Sequence, residues 1–568
     1  MIPAMVATAA PSGVAAERAA LDIPIERLER WFLRGGAFLL PLAYTWNSYD
    51  GYILPKLLLA RILVCGLAAL WLVRAALAGR AAIRRTALDL PILAFVLSAA
   101  ISTVFAFNPN VAVFGTYSRY DGLLTTVTYA ALFWLAVQTL RTRDEARGLL
   151  RVMLVAGYAV AAVAIVQSLR DSIEAGQLLP AFGTLGQKNA LGMFLVLLLP
   201  VAYTELATAR TWTARILALN ALTLMTVALL LSFSRSAWIA GAGAVLITVI
   251  AVHRGRRLRV AVLAVTALVV VAGAAFILAS GLLVQRTDLL QLGDRPVVWS
   301  DTLRLIASRP LVGYGPDNFG LVFPSFESTH LQQPWDKAHS EVLQIAATQG
   351  LLGVAAYAWL LAAVAWAFWK GPRDAIAWGV LAGWACYQAE LQVNFTMLAA
   401  AFPFWIVTAA AMVTFGGTRD VRTFAFGARN RWLGAAGVVA VFGMVSALPA
   451  YLADVDLRSA VIADFSGQQG AALAPATEAM RQNPFDSVYA TEVGNLAFER
   501  GDWGGARTAY RVAAALGTFN DAVYRNLALA DQHLGLFDEG RDAAQRAYEL
   551  NRFDPANRAL FAQFGGKP

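Results

Sequence analysis

An all-α, polytopic membrane protein with a large external loop and a C-terminal helical repeat is what this sequence predicts, and three observations predict it. Of its 568 residues, 58% are hydrophobic and only 15% charged, with a mean hydropathy of +0.57. A soluble domain carries about 45–50% apolar and about 25% charged residues, so a soluble multidomain enzyme is excluded. The apolar residues also gather into runs of the length a bilayer core requires, roughly 20 helical residues. Residues 452–568 break that pattern, being rich in alanine, charge and helix formers.

The spacing predicts about 13 spans: 32–46, 53–74, 88–106, 122–140, 149–167, 189–208, 214–232, 236–252, 258–281, 349–369, 374–393, 397–415 and 432–451. Residues 1–31 mix acids (Glu17, Asp22, Glu26, Glu29) with arginines and lack a signal-peptide pattern, so they are expected to be an uncleaved cytoplasmic tail. Orientation follows from the short loops. Those sharing a face with the N-terminus hold seventeen lysines and arginines, and those opposite hold four, Arg119, Arg170, Lys188 and Arg235. The positive-inside rule then places the N-terminus in the cytoplasm. An odd span count places the loop 282–340 and the tail 452–568 outside, in the periplasm if the membrane is a bacterial inner membrane. The net charge of +9 is thereby read as a topology signal, and a nucleic-acid partner is not expected. Cys65 and Cys386 both lie in apolar runs and support no disulfide framework.

The tail carries an internal period. A shift of 34 residues aligns Gly467 with Gly501 and Gly535, Trp503 with Phe537, Arg507 with Arg541, and Leu516 with Leu550. Turn signals follow at 483–486 (Asn-Pro-Phe-Asp) and 551–555 (Asn-Arg-Phe-Asp-Pro). A 34-residue period with a glycine closing one helix and an aromatic opening the next resembles the tetratricopeptide repeat. Two full units and a preceding half are expected, serving either as a packing scaffold or to dock a protein partner.

Few residues on the outer face can carry chemistry. Arg235, in Ser234-Arg235-Ser236-Ala237-Trp238, sits in a turn between two spans, where a guanidinium either snorkels to head groups or meets an anionic lipid substrate. In Gly293-Asp294-Arg295-Pro296-Val297-Val298-Trp299, Pro296 suits a first helical turn, which puts Arg295 at the helix start with Trp299 one turn on; Arg304 should point away. The glycine-rich stretch 309–319 is a weak phosphate-cradle signal. In Asp336-Lys337-Ala338-His339-Ser340-Glu341, the sequence suggests a helix opening into the tenth span. His339 would lie on it with Asp336 at i−3 as the orienter of its imidazole and Glu341 turned elsewhere. Asp454-Val455-Asp456 has a spacing that can hold a divalent metal, but its position on the outer face argues against that role, and no zinc-type His/Cys spacing occurs.

Taken together, these stretches resemble the O-antigen ligase and O-antigen polymerase superfamily. The matching motifs are Leu54-Pro55-Lys56, the run Phe114 to Leu123 containing Arg119, Gly183 to Asn189, Ser234 to Trp238, Arg295 with Trp299, Pro310 to Phe319, and Asp336 to Leu343. They span most of residues 50–415, and the chain departs at Gln187 and Lys188, where many relatives have asparagine. The resemblance implies a ligase-like transmembrane domain over 32–451 and transfer of a glycan from undecaprenyl diphosphate to a lipid A-core, glycan or protein acceptor, with no metal and no cofactor. It also implies catalytic roles for His339, Arg235 and Arg295 and substrate contacts for Arg119, Asn189 and Asp336. The chemistry agrees: two guanidiniums can grip a leaving diphosphate, and an imidazole can take the proton of the attacking hydroxyl. A polymerase and a protein O-oligosaccharyltransferase are the alternatives within this class. A transporter should show symmetry between its halves, which is not seen. A pure scaffold should tolerate loss of His339.

Overall fold

The computed structural model describes residues 13–253, 255, 260, 264, 293–331, 334–425 and 429–567. The expected span at 258–281 lies outside the described residues, as does most of the first part of the loop 282–340. In chain order the helices are α1 (Gly13–Leu42), α2 (Ile53–Ala78), α3 (Asp89–Val104), α4 (Pro109–Phe114), α5 (Leu123–Thr139), α6 (Arg143–Ala175), α7 (Lys188–Thr208), α8 (Trp212–Leu231), α9 (Arg235–Val252), α10 (Arg295–Ser308), α11 (Phe319–Val322), α12 (Glu341–Lys370), α13 (Ala375–Leu391) and α14 (Leu398–Thr414). The last of the apolar helices is α15 (Arg429–Phe465), and the tail adds α16 (Gln469–Gln482), α17 (Ser487–Glu499), α18 (Trp503–Leu516), α19 (Asp521–His533), α20 (Phe537–Leu550) and α21 (Pro555–Gln563). The protein is an all-α polytopic membrane protein. Seven of the described helices are long and apolar enough to cross a bilayer, and α3, α5 and α14 are shorter apolar helices.

Burial ranks these helices. In α7 every side chain from Ala190 to Thr204 is buried, so it is the most buried of the seven long helices, and the shorter α14 is buried along nearly its whole length; α8 and α15 present most of their apolar surface outward, as lipid-facing helices do. Polar termini are settled locally. Thr142 and Glu145 form a reciprocal capping box at the start of α6, and Asp374 caps α13 through the Ala377 amide. Lys56, inside an apolar span, is 1% exposed and donates to the carbonyls of Ala43, Tyr52 and Thr184 at 2.6, 3.0 and 2.5 Å. Its ammonium thus ties the start of α2 to the turn before α7, which is how a cation is tolerated there.

The structure departs from the expectation at three places. Residues from Gly13 onward continue α1 rather than forming a free tail, and Glu29, 2% exposed, pairs with Arg74 at 2.9 Å. A two-stranded antiparallel ribbon, β1 (Arg80–Thr86) with β2 (Thr418–Ala425), joins two arginine-rich loops at the same end of the bundle. At that end Arg84 also donates to the carbonyls of Leu140 and Arg141, and Arg143 reaches Asp374 at 2.7 Å. Finally, α15 runs unbroken from the membrane region into the tail, so residue 452 is mid-helix.

The tail repeats by 34 residues in helix starts as well as in sequence: Gln469, Trp503 and Phe537 open one set, and Ser487 and Asp521 the other. Asp486, Asn520 and Asp554 each accept an amide two residues ahead, and Gly467, Gly501 and Gly535 take φ of 72°, 73° and 76°. The expected preceding half-unit is α16, and the end of α15 packs against it through Ala460, Ala472 and Ala476, completing its helix pair.

Candidate functional site

The tail meets the α3–α5 connection and the described part of the loop 282–340 at the end of the bundle opposite the ribbon. Asn108 Nδ2 donates to Ala515 O, Asn110 Nδ2 to Phe485 O and Leu516 O, and an Arg546 guanidinium N–H to Leu321 O, at 2.9–3.2 Å. Asp454 belongs to this seam. It is fully buried, accepts the Asp50 amide at 2.8 Å and the Tyr117 hydroxyl, and so clasps α15 to two loops rather than facing a metal. Among the described residues no three His, Cys, Asp or Glu side chains gather as metal ligands.

The glycine-rich stretch is likewise structural. α12 breaks at Gly350 (φ 68°, ψ −167°), which frees carbonyls of the preceding turn. The amides of Tyr314 and Gly315 donate to Ala347 O and Thr348 O at 3.0 and 2.8 Å, so they are spent on the helix and not on a phosphate. A Cβ at Gly350 would stand 2.2 Å from Leu311 O, and one at Gly313 2.5 Å from the Thr348 carbonyl carbon, so the close approach requires both glycines.

The turn 335–340 is where the chemistry collects. Lys337, 1% exposed, lies between Asp121 and Asp317 at 2.8 Å each, and Asp317 also accepts the Thr116 amide and hydroxyl. Both carboxylates lift the Lys337 ammonium above its ordinary range against the effect of burial. Gln344 Oε1 receives the Ala338 amide, and Trp299 Nε1 donates to Ala338 O. These bonds hold His339 in an extended-to-helix turn with φ +51°, ahead of the N-cap Ser340. His339 is therefore not on the helix, and the i−3 relation to Asp336 does not exist. Asp336 instead binds Arg119 in a two-pronged pair (Nε–Oδ2 2.5 Å, Nη2–Oδ1 3.1 Å). Glu341 is turned away, as its spacing implies, accepting the Thr396 amide and hydroxyl at 2.8 Å.

His339 sits edge-on between Trp335 (4.6 Å) and Phe395 (4.9 Å), and the Arg119 guanidinium lies 5.2 Å over Phe395. Burial and then the Arg295 charge push its imidazole down to about 4, with Asp336 pulling the other way and Arg119 adding to the depression. Arg295, first residue of α10, is lowered by burial and by the charge of Arg235. Arg295 is thus within electrostatic reach of both Arg235 and His339, residues far from it in sequence. Arg304, further along α10, is half exposed and pairs with Asp301 instead. Asn189 lies in the first turn of the buried α7.

Sequence reasoning missed the turn after α13. Glu390 accepts from Ser236, beside Arg235, at 3.4 Å; Asn394 is fully buried with no partner for its amide among the described residues; and Phe395 and Thr396 contact His339 and Glu341. A carboxylate and an amide at the end of an apolar helix were the available signal. A backbone signature also marks the site. The five described non-glycine residues with positive φ, Ser118, Tyr120, Phe233, Asp317 and His339, flank Arg119, precede Arg235, hold Lys337 or are the histidine itself. Such conformations cost about 1–3 kcal/mol each and concentrate where function over-determines them.

With that geometry in place, comparison with known proteins locates it. Residues 221–358 match the model of the O-antigen ligase family, a segment that contains Arg235, Arg295 and His339. No curated protein sequence matches the chain. The solved structure of the first TPR of Spaghetti (RPAP3) bound to an HSP90 peptide is 18% identical over 20% of this chain and 92% of that one, with a TM-score of 0.20. The family match is thus confined to one segment of the chain, and within it lie the three residues singled out above.

Proposed function

We propose that this protein transfers a glycan from undecaprenyl diphosphate to an acceptor on the periplasmic face of a bacterial inner membrane, as an O-antigen ligase does. The observation that carries this reading is that Arg295 lies within electrostatic reach of both Arg235 and His339, all three inside the matched segment. Two cations brought together under partial burial are stabilised by an anion between them, and a diphosphate offers oxygens to both planar forks. The arginines thereby take the place a divalent metal holds in many sugar-diphosphate enzymes. A neutral imidazole beside them can accept a proton. In the reaction the acceptor oxygen attacks the anomeric carbon, its proton passes to His339, and the carbon–oxygen bond to the diphosphate breaks with the electron pair leaving on the diphosphate. Direct displacement inverts the anomeric configuration. When the diphosphate enters, its negative charge offsets Arg295 and raises the basicity of His339 just as a base is needed.

The acceptor is a lipid A-core, a growing glycan or a protein. Analysis of a deletion strain tests the reading: long glycans left on the lipid carrier mark a ligase, single repeat units a polymerase, and an unchanged lipid-linked pool overturns both. Topology is tested by reporter fusions at Gly293 and Gln532, both expected to read as external; a cytoplasmic signal at Gln532 changes the span count by one.

A further inference from the structure

A cavity of about 460 Å³ lies between the external loop and the repeat tail, in the size range of ligand sites. The loop contributes Glu327 and Trp335, and the tail Thr491, Phe519, Asn520 and Asn551. Trp335 belongs to two places at once: it lines this cavity and packs edge-on against His339 at 4.6 Å. It is 8% exposed, and its indole N–H has no hydrogen-bond partner among the described residues.

We infer that this cavity is the acceptor subsite and that it binds the terminal saccharide of the acceptor, one aromatic ring away from His339. The inference rests on the proposed glycan transfer and deepens it. A sugar presents apolar C–H faces and a rim of hydroxyls that both donate and accept. The lining answers each need: Trp335 and Phe519 supply flat apolar surface, while Glu327, Asn520, Asn551 and Thr491 supply a carboxylate, two amides and a hydroxyl. No lysine or arginine lines it among the described residues, so a diphosphate has no counter-charge here and the donor belongs with Arg235 and Arg295. A lipid chain would leave the carboxylate and amides without partners. The arrangement also explains why a repeat tail is seated on the loop: half of the cavity wall is tail, so the acceptor site exists only when the two are docked.

The test uses the purified full-length protein in detergent and three probes. These are the core oligosaccharide released by mild acid from the host's lipopolysaccharide, the oligosaccharide released by mild acid from its lipid-linked pool, and a synthetic serine/threonine-rich peptide. Binding is followed by calorimetry and ligand-observed NMR in the wild type, in Thr491→Trp, which fills the cavity from the tail, and in Glu327→Gln, which keeps shape and removes charge. At least one saccharide should bind the wild type. Thr491→Trp should weaken it about tenfold or more and raise the acceptor KM, while donor binding and melting stay unchanged. Glu327→Gln, milder in shape, should weaken it in the same direction and secures the test if Thr491→Trp does not fold. Saccharide binding that is unaffected in folded variants overturns the subsite, as does binding of the peptide alone. If the wild type binds saccharide but transfers nothing, the transfer reading fails and the subsite stands; if Thr491→Trp transfers with a wild-type acceptor KM, the reverse holds.

Discussion

Lys337 and Arg295 are both cations drawn toward the same turn, yet their surroundings are opposite. Lys337 is buried with two carboxylates at 2.8 Å and its charge is raised in stability. Arg295 faces the like charge of Arg235 and an imidazole, and its protonated form is disfavoured. A buried cation whose charge is answered within the chain builds the fold. One set beside another cation gains from an incoming anion. The contrast separates scaffold from site two residues apart, since Lys337 and His339 share one turn.

The largest effect should come from breaking the scaffold side. Lys337→Met leaves Asp121 and Asp317 without their counter-charge, a loss of about 3–5 kcal/mol of stability by the usual cost of an orphaned buried pair. Thermal unfolding should show it, with transfer lost along with the fold. Adding Asp317→Asn should recover part of the loss; no recovery would mean that Lys337 acts elsewhere than in this cluster.

On the site side the next effect is catalytic. His339→Asn keeps a residue type that tolerates φ of +51°, so the turn survives while the base is removed. Turnover should fall about 10²–10⁴-fold with melting and donor binding retained. Because the imidazole must be neutral to act, and burial and Arg295 hold it near 4 in the free protein, kcat/KM should fall only as pH drops through about 4. The acid limb of kcat should lie higher, since bound diphosphate opposes Arg295. Coincident limbs would show that no anion reaches Arg295.

How much of this was legible in the sequence follows from the range of each interaction. The spans announce themselves because a bilayer filters on runs of apolar residues, and the 34-residue period because each unit repeats its own cap and glycine. Arg235, Arg295 and His339 drew notice in the sequence because charged or titratable residues are rare at the ends of apolar runs. The location of His339 off the helix could not. Asp336 to His339 looks like a helix opening, but Lys337 is claimed by Asp121 and Asp317, and Asp336 by Arg119, 217 positions away in the chain. The helix consequently starts only after Ser340. The Asn394–Thr396 turn was missed for the same reason: its importance lies in side chains it meets across the bundle.

Smaller than loss of the base should be loss of the fork. Arg235→Lys and Arg295→Lys retain charge but cannot present paired donors in a plane, so each should reduce transfer by about 10²–10³-fold, the scale of a lost oxyanion donor. Stability should change little, because the like-charge contact is kept. Full transfer by both lysine variants at normal protein levels would leave the diphosphate grip without support.

The smallest effect belongs to a control arginine on the same helix. Arg304 lies nine positions after Arg295 on α10, half exposed, with Asp301 as its carboxylate partner and Phe326 O as a second acceptor. Asp301 is itself 1% exposed and accepts the amide and hydroxyl of Ser328, so removing the guanidinium does not strand it. With the guanidinium half in solvent and Asp301 held independently by Ser328, the pair is worth no more than about 1 kcal/mol. Arg304→Ala should therefore shift melting slightly and leave acceptor and donor kinetics as in the wild type, measured beside Arg295→Lys in one preparation. That outcome would tie function to the side of α10 that meets Arg235 and His339. A loss of transfer as large as that of Arg295→Lys would instead mean that the whole helix, and not a pair of facing cations, is what the reaction depends on.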